Sequence, residues 1–133
     1  MLSRDYILRI LQEFSEALEL LLKKKKRNEA EFDAEIQSMY RAYFNHPAQH
    51  YYALQAESIL EELSHEYESK EIFTRIDMIS ELIYQDALSK QNEEKRFLLA
   101  KSLYLIEYLD KNSDTFSFQR RNRIEEIKRE ISF

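Results

Sequence analysis

Apolar residues recur every three or four positions along almost the whole chain, which is the spacing of one face of an α-helix. No stretch sustains the alternation of apolar and polar residues that is typical of a half-buried strand. The pattern therefore predicts an all-α fold of five or six helices. The predicted helices cover Arg4–Lys24, Glu29–Asn45, 47–67 (as one helix or two), Ile72–Lys90, Arg96–Asp110 and Ser117–Ile131.

The order and length of these helices predict a single domain made of antiparallel helical hairpins. A chain of 133 residues is long enough to bury a core of its own. Residues 4–45 would form one hairpin, residues 47–67 a connecting helix, and residues 72–111 a second hairpin. The segment 117–131 has only a narrow apolar stripe, which suits a capping helix with one face in solvent.

The segment Arg96–Asp110 is the most apolar run, and its apolar residues do not keep to one face. Ala100 and Leu103 lie on one side of a helical wheel, whereas Leu105 and Leu109 lie on the opposite side. A helix that is apolar nearly all round is normally buried on several sides. We therefore expect this segment to be the central helix, and a charge at Ala100 or Leu103 to unfold the domain.

Composition and charge exclude several classes of chemistry. The chain has no Gly, one Pro and no Cys, so Gly-rich phosphate loops, thiol catalysis, cysteine zinc sites and disulfides are ruled out. The net charge of −5 at pH 7 disfavours nucleic-acid binding. Since no signal-peptide pattern or membrane-length apolar run appears, we expect a cytoplasmic protein that binds neither nucleic acid nor membrane.

Histidine and carboxylate residues form two sparse patterns that could bind a metal. His46 and His50 are four residues apart but have no third ligand nearby in sequence. Glu62 and His65 form one Glu-x-x-His unit, whereas di-iron bundles need two such units and two further Glu. No acid, base and nucleophile set is recognisable either, so we expect no catalytic residue, no metal and no cofactor. A small helical metal-binding protein or enzyme that uses Glu62 and His65 is the alternative.

The run Lys23–Arg27 contains five consecutive cations and offers a second alternative function. Such a run can bind phosphate or an anionic surface. It can equally be the charged end of the first helix, where cations interact favourably with the exposed carbonyls. The acidic balance of the rest of the chain favours the second interpretation.

Aromatic and misplaced polar residues are the remaining functional signal. Nine Tyr and eight Phe are many for this length, and tyrosine is enriched at protein interfaces. Four tyrosines cluster where the second predicted helix meets the third, and two charged residues lie on the flank of the fourth helix's apolar stripe. The candidate protein-binding residues are Tyr40, Tyr43, Tyr51, Tyr52, Arg75, Asp86 and Arg9 of the first helix.

The offsets between Ala100, Tyr104, Glu107 and Asn112 are similar to those in the second helix of a tetratricopeptide repeat (TPR). In that repeat the third and fourth of these positions hold a small residue and a Pro, so Glu107 and Asn112 depart from the pattern. The resemblance covers two hairpins of the chain. It implies a TPR-like fold that works by binding rather than by catalysis.

Three further stretches resemble a family of small bacterial proteins that are all-helical and TPR-like and have no established activity. They are 5–9 (DYILR, followed by Ala17 and Leu18), 82–84 (LIY) and 103–109 (LYLIEYL). The resemblance implies a bacterial helical protein and gives no activity to transfer. We therefore expect a non-catalytic module that binds another protein or a copy of itself, through a face of the helices Arg4–Lys24 and Ile72–Lys90.

Overall fold

The structure, a computed structural model, describes residues 2–24 and 28–132. These residues form seven α-helices and no strand, so the predicted all-α class is confirmed. The helices are α1 (Leu2–Lys24), α2 (Glu29–Phe44), α3 (Ala48–Ala53), α4 (Ala56–Glu66), α5 (Ser69–Leu88), α6 (Asn92–Asn112) and α7 (Phe118–Ser132).

The predicted count of five or six helices is wrong because the segment 47–67 is two helices. Leu54 (φ −83°, ψ 144°) and Gln55 (φ −71°, ψ 156°) are extended and separate α3 from α4. Pro47 (φ −69°, ψ 160°) is the N-cap of α3, so the helix begins at the residue after it. The chain also divides between Leu54 and Gln55 into two compact units, unit 1 (α1–α3) and unit 2 (α4–α7).

Asparagine replaces glycine where the chain needs a left-handed backbone. Asn45 at the C-cap of α2 has φ 66°, and Asn92 has φ 56°. Asn tolerates this region better than other residues that have a side chain. Asn28 has a different role, since its side chain caps the start of α2 by accepting a hydrogen bond from the Glu31 backbone N–H at 3.1 Å.

Unit 1 has an aromatic core between α1, α2 and α3. Ile7, Phe14, Leu18 and Leu21 form the buried stripe of α1, at the spacing the sequence predicts. Phe14 meets the edge of Tyr43 with ring centroids 5.2 Å apart. Such ring pairs contribute about 0.5–1.5 kcal/mol beyond the area they bury.

The most buried helix of unit 2 is α5, whereas α6, which contains the segment Arg96–Asp110, packs against α4, α5 and α7. The predicted central position of this segment agrees with these contacts, but its burial does not extend all round the helix. Eleven residues of α5 are buried, among them the polar Gln85 and Asp86. Helix α6 is buried on one side only, and Ala100 is exposed on the other side. A helical wheel shows that apolar residues lie all round α6, but it cannot show which of these sides the other described helices cover. The buried residues of α6 are Leu98, Leu99, Ser102, Leu105, Ile106 and Leu109.

Helices α5 and α6 approach each other through short side chains. Ser102 Oγ donates a hydrogen bond to the backbone carbonyl of Ser80 at 2.7 Å, and both serines are buried. The serine hydroxyl is therefore satisfied inside the core, which a buried polar group requires. This contact fixes which side of α6 faces inward, and hence which side faces solvent.

Candidate functional site

Three aromatic residues lie exposed on the outward side of α6. The exposed fractions are 69% for Phe97, 42% for Tyr104 and 38% for Tyr108. Residues seven and four positions apart lie one above the other on a helix. The three rings and Lys101 therefore form one continuous line, which we call the α6 stripe (Phe97, Lys101, Tyr104, Tyr108).

Lys101 interrupts the aromatic line with a charged group that is half-buried. Burial lowers the pKa of its ammonium group, because the low-dielectric surroundings disfavour the charged form. A lysine in such a position has already lost part of its hydration. It therefore gives up less water than a fully exposed lysine when a second surface covers it.

A groove of about 370 Å³ between α6 and α7 borders the stripe. Apolar surface in it comes from Tyr104, Tyr108 and Ile124. The remaining lining residues are three acidic and three basic ones, so the rim has mixed sign. They are Glu107, Asp110, Glu125, Lys111, Arg121 and Lys128.

Ion pairs hold α7 beside α6 and so fix the width of this groove. Arg121 Nη1 donates to Asp110 Oδ2 at 2.7 Å, and Arg120 Nε donates to Asp110 Oδ1 at 2.9 Å. These hydrogen bonds hold the pKa of the Asp110 carboxyl below its ordinary value, and the bond from Arg121 has the larger effect. Further along the groove, Lys128 Nζ lies 3.7 Å from Glu107 Oε2.

The four predicted tyrosines contribute mainly to packing in unit 1. Tyr40 and Tyr51 are buried and stack with ring centroids 5.8 Å apart. The Tyr51 hydroxyl donates to the Phe44 carbonyl at 3.1 Å, so it is satisfied without a partner protein. Tyr43 and Tyr52 are half-buried and retain some accessible surface. A binding role for these residues stays a prediction.

The two polar residues singled out on α5 are buried, and the contacts seen for them are intramolecular. Arg75 Nη2 lies 3.4 Å from Glu71 Oε1, and the guanidinium lies 4.3 Å from the ring centre of Tyr67. Asp86 Oδ1 lies 3.4 Å from Lys90 Nζ. Neither side chain presents a surface to a partner in this state.

The remaining candidate residues are surface groups, and their binding roles stay predictions. Arg9 is exposed on α1. Glu62 is half-buried and His65 is exposed on α4. Of the run Lys23–Arg27, Lys23 is exposed and lies 4.0 Å from Glu19, whereas 25–27 lie outside the described residues.

Comparison of the chain with protein-family models, with curated proteins and with solved structures finds no match. The resemblance to a bacterial TPR-like family therefore stays a prediction. Among the described helices, none is both long enough and apolar enough to cross a membrane.

Sequence reasoning missed the α6 stripe because it assigned these aromatics to the core. A signal was nevertheless present. Phe97, Tyr104 and Tyr108 share one line of the helix, and the charged residues Lys101 and Lys111 lie on or beside that line. Charged residues on or beside an apolar line are typical of a surface stripe rather than of a buried helix.

Proposed function

We propose that this chain is a non-catalytic, TPR-like helical module that binds another protein chain through the α6 stripe and the adjoining α6–α7 groove. The exposure of Phe97, Tyr104 and Tyr108 in one line is the observation that carries the proposal. Exposed apolar side chains that lie together on one surface mark interaction sites more often than singly scattered ones do.

The chemistry of this surface is that of a protein interface. Aromatic residues are enriched at interface centres, and charged residues lie at the rim. The stripe supplies the aromatic centre, and residues such as Glu107, Lys111 and Lys128 supply the rim. Fully burying one large apolar side chain is worth about 1.5–3 kcal/mol. Three rings therefore offer a useful binding free energy, part of which offsets the entropy lost on association.

The TPR-like arrangement belongs to the same proposal. Helices α5 and α6 are 20 and 21 residues long and are joined by residues 89–91 alone. A connection this short makes neighbouring helices antiparallel. Stacked hairpins of this kind commonly present an extended binding face rather than an enclosed active site.

A photo-activatable cross-linker in place of Tyr104, introduced in cells of the native host, tests the proposal. The matched control carries the same group in place of Tyr6, a tyrosine of similar exposure on α1. We expect a covalent adduct of defined mass from position 104, and its loss when Phe97→Ser is added. Equal adduct patterns from both positions would show that α6 is not the binding face.

A further inference from the structure

The outward side of α6 has the spacing of a coiled-coil seam over five turns. Glu94, Lys101 and Tyr108 are seven residues apart and form one set, and Phe97, Tyr104 and Lys111 form a second. The two sets alternate at intervals of three and four. This is the a/d spacing of helices that pair along their length. Lys101 is half-buried and the other five residues are exposed, so the seam faces away from the core of unit 2.

The residues along this seam are complementary to the same residues on a second copy of α6 that runs in the opposite direction. Suppose that a second α6 runs antiparallel, with residues of the first set opposite residues of the second set. Glu94 then faces Lys111 of the second copy. Phe97 then faces Tyr108, and Lys101 faces Tyr104. These layers are an ion pair, an aromatic pair and a cation over a ring, each of which is attractive. Because of the two-fold axis, each of these layers occurs twice in the dimer.

Parallel pairing in register is unfavourable for the same residues. It places Glu94 against Glu94, Lys101 against Lys101 and Lys111 against Lys111. Three like-charge layers repel, and charged pairs between helices set the orientation of coiled coils. The order of charges along α6 therefore selects one orientation.

We infer that two copies of this chain form an antiparallel, two-fold symmetric dimer through the seam Glu94–Lys111 of α6. The inference rests on the proposed function and names its partner as a second copy. Since the same surface serves both copies, the contact closes on itself and stops at two. A different partner would need the reversed pattern of charges and rings that this chain already supplies.

Disulfide trapping tests the orientation directly, because the natural chain has no Cys. Glu94→Cys and Lys111→Cys proteins, one of them tagged, are oxidised separately and as a mixture. In the antiparallel dimer, positions 94 and 111 are opposite each other. Two copies of position 94 are about 25 Å apart along the helix, beyond disulfide reach. We expect covalent dimer from the mixture at least about tenfold faster than from either protein alone.

Two results would overturn the inference. Rapid dimerisation of Glu94→Cys alone would indicate parallel pairing, and no covalent dimer in the mixture would exclude the seam. Circular dichroism of both cysteine proteins checks that each retains the helical content of the natural chain. Because both positions are exposed, the substitutions remove no core packing.

The cross-linker in place of Tyr104 separates failure of this inference from failure of the proposed function. If no trapped dimer forms and position 104 still cross-links specifically to a different protein, the dimer is wrong and the binding module stands. If neither experiment gives a specific product, both are wrong. A trapped antiparallel dimer whose chains also cross-link through position 104 supports both.

Discussion

Arg123 binds Glu81 through two parallel hydrogen bonds, Nε to Oε1 and Nη2 to Oε2, each 2.9 Å long. The guanidinium also lies 4.1 Å from the ring centre of Tyr84. Both charges are about three-quarters buried, at 24% and 28% exposure. The pair joins α7 to α5, the most buried helix of unit 2. It therefore helps to position the helix that forms one wall of the candidate groove.

Replacing Arg123 should destabilise unit 2 more than replacing an exposed charged residue would. We expect Arg123→Ala to lower the free energy of unfolding by about 1–3 kcal/mol, because it removes a bidentate pair and a stacked cation. Arg123→Lys should recover only part of this, since an ammonium cannot make two parallel hydrogen bonds. Urea denaturation measures both. The control is Arg129→Ala on the exposed side of α7, for which we expect little change.

Asp110 should give unit 2 a defined sensitivity to acid. Hydrogen bonds from Arg121 and Arg120 lower the pKa of its carboxyl in the folded state. The stabilisation is therefore fully present above the unfolded pKa of about 3.9 and is lost as pH falls through the lower folded value. Natural protein should exceed Asp110→Asn in stability at pH 7, and this advantage should disappear in strong acid. Thermal melts of both proteins over a pH series measure the difference; a constant difference would contradict this role.

Position 100 should tolerate charge, contrary to what the sequence alone predicts. Ala100 is exposed on α6, whereas its neighbour Leu99 is fully buried. We expect Ala100→Glu to fold with near-normal stability. Leu99→Asp should unfold the domain or cost more than about 4 kcal/mol, because it buries an unpaired charge. Circular dichroism and thermal melting of the two variants make the comparison. Unfolding of Ala100→Glu would mean that this side of α6 is covered after all.

A single charge reversal on α6 should weaken self-association, and a second, compensating reversal should restore it. Glu94→Lys alone places like charges together in two symmetric layers, and so does Lys111→Glu alone. We expect each to raise the dimer dissociation constant by about tenfold. The double variant Glu94→Lys/Lys111→Glu restores opposite charges and should recover most of the affinity. Sedimentation velocity across a concentration series measures all three. Additive weakening in the double variant would rule out the antiparallel contact.

The sequence predicted the helices well because the spacing of apolar residues is a local property. The buried stripes of α1 and α2 and the narrow stripe of α7 all follow from it. It could not predict which side of each helix is exposed, since that depends on which sides neighbouring helices cover. Asp86 illustrates this on α5: a charged residue lies fully buried there, 3.4 Å from Lys90 on the next turn.

The candidate site was less predictable for a related reason. A tyrosine or phenylalanine has the same periodicity whether it packs in a core or lies on a surface. The sequence led us to expect Tyr40 at a binding surface and Tyr104 in the core, yet Tyr40 is buried and Tyr104 is 42% exposed. Only the packing of the other helices distinguishes them. The order of charges along α6, by contrast, is present in the sequence and could have been read as a self-complementary seam.

Sedimentation equilibrium of the natural chain beside a Phe97→Ser/Tyr104→Ser/Tyr108→Ser variant tests the central claim most directly. We expect the natural chain to rise with concentration from 16.2 kDa toward twice that mass. The variant should remain at the mass of one chain while keeping its helical circular dichroism, because the three substituted rings are exposed. Indistinguishable mass profiles of the two proteins would contradict the claim that the α6 stripe is the surface through which this chain binds a second copy.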